Sequence, residues 1–149
     1  MSGQAGASSI IAQTIQSTLE GVEREVASRA YRASNELRNA ELHILRGSRG
    51  GRRYRVPQTG AFYTASAPGQ PPAVRTGVFR ASWGTRTRVE KAGSQLSATA
   101  SIESRERAGG RLLGELLEGG TGRMAARPYK QKIIDRALPK VTAIFSAPY

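Results

Sequence analysis

Ten apolar residues recur along one early stretch: Ile11, Ile15, Leu19, Val22, Val26, Ala30, Ala33, Leu37, Ala40 and Ile44, with gaps of 4, 4, 3, 4, 4, 3, 4, 3 and 4. That spacing keeps them on one face of an α-helix. Ser8 or Ser9 is placed to cap its start, and Gly47 stands where a left-handed stop is expected. A helix over residues 9–45 is about 55 Å long. In a chain of 149 residues too little sequence remains to cover such a rod, so part of its stripe is expected to meet another subunit or another protein. The alternative is an ordinary core helix with a frayed first turn. Hydrophobic residues make up only 38% of the chain, which also points to order completed by a partner.

Charge is the second constraint. The formal net charge is +12, with 23 Lys and Arg against 11 Asp and Glu. Only four of the basic residues are Lys; the other 19 are Arg, whose planar fork suits phosphates and carboxylates. Residues 1–45 carry net −1, residues 46–91 net +9 and residues 92–149 net +4. Arg46, Arg49, Arg52, Arg53 and Arg55 fall among Gly47, Gly50, Gly51 and Tyr54, a flexible basic loop running into an extended segment. Such a loop faces nucleic acid, where neutralised phosphates release counterions, or an acidic neighbouring protein, or only solvent.

Downstream, Pro57, Pro68, Pro71 and Pro72 make residues 57–74 an extended loop. Thr76 reads as the N-cap of a short helix over 77–83 that buries Val78 and Phe79 and exposes Arg75 and Arg80. Residues 85–90 and 95–102 read as strands joined by a turn at Gly93, with Leu96, Ala98, Ala100 and Ile102 on one face. Leu112, Leu113, Leu116 and Leu117 have helical spacing and stop at Gly119-Gly120-Thr121-Gly122. Pro128 suits the first turn of a last helix through Phe145, striped by Ile133, Ile134, Ala137, Leu138, Val141 and Ile144, with a kink or break at Pro139. The class is therefore α+β in a single domain, residues 1–149: a long helix (9–45), an Arg/Gly- and Pro-rich loop (46–75), and an α+β core of short helix, small antiparallel sheet and C-terminal helix (76–149).

Chemistry finds little purchase. The chain has no Cys, so there is no disulfide framework, thiol nucleophile or zinc-thiolate site. His43, the single histidine, has no evident Ser or Asp partner. Glu103, Glu106, Glu115 and Glu118 neighbour Arg105, Arg107 and Arg111, the pattern of solvated ion pairs. The Gly-Gly-Thr-Gly turn lacks both a preceding parallel strand and a Walker lysine. No catalytic, cofactor-binding or metal-ligating residue is assigned, and an enzyme is not expected. No apolar run reaches a membrane span and the first residues lack the order of a secretion signal, so neither a membrane partner nor export is expected.

Two stretches carry more. Residues 66–83, Ser-Ala-Pro-Gly-Gln-Pro-Pro-Ala-Val-Arg-Thr-Gly-Val-Phe-Arg-Ala-Ser-Trp, and the pair Leu117-Glu118-Gly119-Gly120-Thr121 and Met124-Ala125-Ala126-Arg127-Pro128-Tyr129 resemble motif blocks of a family of tailed-bacteriophage head–tail connector proteins, also called neck or tail-completion proteins. The order of elements agrees from about residue 10 to 145. The chain departs from the family's pattern at Gln70 and Arg75, where an acidic residue is common nearby, and at Tyr129, where Phe is usual.

The resemblance implies a structural virion protein, a tail terminator or adjoining neck component assembled in the host cytoplasm. It implies a homo-oligomeric ring, sixfold, that joins the tail tube to the head connector around the channel for genomic DNA. Pro68, Gly69, Pro71, Pro72, Thr76, Gly77, Gly120, Thr121, Arg127 and Pro128 are then the expected assembly contacts, with the five arginines of residues 46–55 facing the DNA lumen or an acidic neighbour. For Arg127 the expected role is an internal ion pair with Glu118. The competing reading, from a different class, is a free basic nucleic-acid-binding protein.

Overall fold

The computed structural model describes residues 3–149. Helix α1, Gly3–Arg46, is 44 residues long, about 66 Å at 1.5 Å per residue. It begins well before residue 9, so Ser8 and Ser9 lie inside it rather than capping it. Gly47 is not the left-handed stop either, since its φ is not positive. The end of the helix is held instead by Arg49, whose guanidinium donates to the carbonyls of Ile44 at 2.8 Å, Gly47 at 2.7 Å and Ser48 at 3.1 Å. A long side chain thus satisfies the carbonyls that a helix end leaves open.

Two short strands follow, β1 (Arg53–Arg55) and β2 (Phe62–Thr64), paired antiparallel with Tyr54 opposite Tyr63. The stretch after Pro57 is therefore not loop throughout, because part of it returns as β2. Helix α2 is one turn, Val78–Ala81, entered through Gly77 at φ 83. Strands β3 (Trp83–Ala92) and β4 (Gln95–Ser104) form a ten-residue hairpin in full register from Trp83↔Ser104 to Ala92↔Gln95. Its turn is two residues, with Gly93 at φ 60. A small ribbon, β5 (Arg107–Ala108) with β6 (Arg111–Leu112), leads into helix α3, Leu113–Gly119. The expected small antiparallel sheet is the β3–β4 hairpin, and two further two-stranded ladders accompany it.

Helix α4, Lys130–Ser146, starts after Pro128, which stands outside it ahead of the cap residue Tyr129. The helix runs unbroken through Pro139; the ring removes one hydrogen bond, and packing against α1 compensates. Ile133 and Ala137 are buried, whereas Ile134 and Leu138, expected on the same stripe, are exposed.

The β3–β4 hairpin and α4 both pack on α1. Val26, Ala30, Ala33, Ala40 and Leu45 of α1 are buried there, and the alanines let backbones approach closely. Phe79, Trp83 and Tyr129 close the core as an edge-to-face trio with ring centroids 5.7–5.8 Å apart, a favoured aromatic geometry. Lys91 Nζ, 2.6 Å from Glu23 Oε1, ties the hairpin's far end to α1. Beyond that tie the stripe is bare: Ile10, Ile11, Ile15 and Leu19 are 64, 60, 55 and 45% exposed. No described helix is long and apolar enough to cross a membrane.

Candidate assembly surface

The two motif stretches, some 50 residues apart in sequence, meet in space. Arg127 holds both: its backbone N–H donates to Leu117 O at 2.7 Å, and its guanidinium donates to the carbonyl of Ser66, which is buried at the head of the proline loop. Gly69 N donates to Ala126 O at 3.2 Å, and Lys132 Nζ reaches Gly69 O at 3.3 Å. Gln70 Oε1 accepts from Ala67 N at 3.0 Å and Gly50 N at 2.9 Å, so one amide fastens the proline loop to the Arg/Gly loop.

The expected Arg127–Glu118 ion pair is not formed. Glu118 Oε2 instead accepts from Tyr129 N at 2.9 Å and Lys130 N at 3.2 Å. A carboxylate from α3 thereby satisfies open donors at the start of α4, where the helix dipole favours negative charge. Tyr129 is buried, and its hydroxyl donates to Gly114 O at 3.0 Å. Burial first, then the nearby carboxylates of Glu118 and Glu115, push its pKa well above the ordinary tyrosine value. Gly120, at φ 73, lets the chain turn where a Cβ would lie 2.7 Å from Ala126 N.

The remaining motif residues divide by exposure. Pro72 is buried and its carbonyl accepts from Arg49 Nε at 3.1 Å and Nη2 at 2.9 Å. Pro71, Gly77 and Pro128 are half-buried, while Pro68, Gly69, Thr76 and Thr121 are exposed. Thr76 Oγ1 accepts weakly from Val78 N at 3.4 Å, the trace of its expected capping role. Val78, expected in the core, is 53% exposed.

Between the stretches lies an open groove of about 570 Å³. Its apolar lining includes Val74, Val78, Phe79, Leu113 and Leu117, and its charged side chains are Arg75, Arg80, Arg127 and Glu106. Leu45, from the far end of α1, also lines it.

One member of the basic run leaves the surface. Arg49 is spent on main-chain carbonyls, and its burial lowers its pKa. Arg46, Arg52, Arg53 and Arg55 are all exposed, Arg53 lying 4.6 Å over the Phe62 ring and Arg55 donating to Gly60 O at 3.3 Å. Arg49 is thus corrected from a surface cation to a brace.

Two features lay outside the sequence expectations. Arg29, 2% exposed on α1, donates to Glu25 Oε1 at 2.8 Å, Ala147 O at 2.5 Å and Pro148 O at 2.6 Å, and lies 3.9 Å over the Tyr149 ring. Its hydrogen bond is the first cause holding the Glu25 carboxyl below the usual range. Glu41 is wholly buried and paired with Arg38. Helical spacing offers the Glu25–Arg29 and Arg38–Glu41 pairs, at i, i+4 and i, i+3, but their burial and the C-terminal contacts of Arg29 depend on how α1 packs. Among the described residues no three His, Asp or Glu side chains gather as a metal site.

Compared with family models, curated proteins and solved structures, the chain finds no match.

Proposed function

We propose that this chain is a structural subunit of a tailed-phage head–tail junction, a neck or tail-completion protein. Its copies form a ring, sixfold in the family it resembles, that joins the tail tube to the head connector around the DNA channel. Its place is the virion, and its work is mechanical. The observation that carries the reading is the convergence of the two motif stretches: Arg127 grips the Ser66 carbonyl across 61 residues of sequence, so stretches that resemble the family's blocks are also parts of one built surface. The bare stripe of α1 supports it further, because a monomer gains nothing from leaving Ile11 and Ile15 in water. Adding purified protein to tails that lack it is expected to bind them and restore joining to heads. Tails that neither bind the protein nor recover joining contradict the proposal.

A free nucleic-acid-binding protein draws less support. Arg49 is occupied, and the aromatics beside the run are few: Tyr54, though exposed, pairs with Tyr63 at 6.0 Å, and the exposed Phe62 ring lies under Arg53. That reading requires duplex binding with a steep salt slope that is lost when Arg52, Arg53 and Arg55 become Ala.

A further inference from the structure

We infer that the bare stripe at the start of α1 seats in the groove of another copy of this chain, head to tail. The inference takes its occupant, a second copy, from the assembly reading above; the fit itself is argued from the surfaces.

Ile11, Ile15 and Leu19 stand at i, i+4 and i+8 on one exposed face, the anchor spacing with which an amphipathic helix lies in an apolar groove. The helix needs such cover. Its first half contains Gly6 and Gly21, and the hydroxyls of Thr14, Ser17 and Thr18 turn back onto helix carbonyls, at 2.9, 3.0 and 2.9 Å, and pair with nothing outside it. A projecting helix of about 20 residues with these residue types is marginal in water.

The chain's own groove is out of reach. Leu45 lines it, and Ile15 lies 30 residues earlier on the same helix, about 45 Å away along the axis. Each copy therefore carries an anchor at one end and a receptor at the other. Such unlike surfaces make a heterologous contact, which closes into a ring when its rotation permits.

Charge agrees with the pairing. Residues 1–23 contain no Lys or Arg, and of their two carboxylates Glu23 is paired with Lys91, which leaves Glu20 beside the anchors. With Arg127 held on the Ser66 carbonyl, the groove presents Arg75 and Arg80 against the single carboxylate of Glu106. A helix end that offers Glu20 and no cation is favoured in a basic-rimmed apolar groove over packing on its own copy, where Glu20 would meet Glu20.

Because the native chain has no Cys, single thiols report the contact cleanly. Ile15→Cys and Val78→Cys both replace exposed side chains, and circular dichroism verifies that each variant keeps its helix. Mixed and treated with a short bis-maleimide, the two are expected to give the unlike pair at least tenfold over either like pair. A chain carrying both substitutions is expected to give a ladder ending in a closed species, lost on adding Leu19→Glu. Predominant Ile15→Cys pairs with themselves would mean that two stripes pack together, and would overturn the inference. So would a chain that stays unlinked at high concentration, or a ladder that survives Leu19→Glu. The experiment needs no phage component: a ladder without head joining refutes only the head–tail reading, and head joining without a ladder refutes only this contact.

Discussion

Arg49 and Arg52 belong to the same basic run, yet Arg49 braces carbonyls from two segments while Arg52 lies exposed. Replacing Arg49 with Ala is expected to cost about 2 kcal/mol, because a charged donor is removed from partly buried carbonyls. Lys at that position recovers little, since an ammonium lacks the planar fork. Arg52→Ala is expected to stay within about 0.5 kcal/mol of the parent; urea unfolding of the three variants separates them. The run itself was plain in the sequence. Its division was not, because the partner of Arg49, Pro72 O, lies 23 residues away. Arg38→Ala, which strands the buried Glu41 carboxylate, is expected to cost roughly 3 kcal/mol in the same assay. Tyr129 supplies a pH signature. Its folded pKa is raised, so the folded chain keeps a proton that the unfolded chain releases near pH 10, and the stabilisation is full below that pH and declines above it. Unfolding free energy is expected to fall as pH rises through about 10, and Tyr129→Phe, despite losing its bond to Gly114 O, is expected to show a shallower fall. Equal slopes would contradict the assignment.

Helices were the elements most legible beforehand, because a 3.6-residue period survives in a single sequence and strong stripes mark α1 and α4. Their ends were not. α1 is finished by Arg49 and α4 is started by Glu118, and both caps come from outside the helix they complete. Faces were mistaken where two partners compete: Ile134 and Leu138 are exposed because α1 reaches only the side of α4 that carries Ile133 and Ala137. The hairpin's turn was readable from Gly93, but its extension to Trp83 and Ser104 depended on packing under α1. At this scale Glu118→Ala is expected to loosen the start of α4 by about 1 kcal/mol. Gly21 sits in a helix with nothing within 4 Å of an added Cβ. Gly21→Ala is therefore expected to stabilise α1 by roughly 0.5–1 kcal/mol, read as a rise in thermal midpoint. A lower midpoint would indicate that Gly21 is needed for a close approach.

At the scale of the whole molecule, one end of a 44-residue helix is built into the body and the other projects from it. The sequence announced that imbalance through the length of its stripe, and the motif stretches, far apart in sequence, meet in space. Neither disclosed that several expected contact residues, Arg127 and Pro72 among them, are spent holding the subunit itself together. Pro68, Gly69, Thr76 and Thr121 remain exposed. Hydrogen exchange is expected to reflect the same division: amides of residues 26–45 protected in the isolated chain, and those of residues 6–20 protected only after assembly. The most direct test of the central claim is to image intact phage particles that encode this chain and to find its position and copy number. A ring of copies at the junction of head and tail, each projecting helix covered, is the predicted result. Particles that are complete without the chain would contradict it.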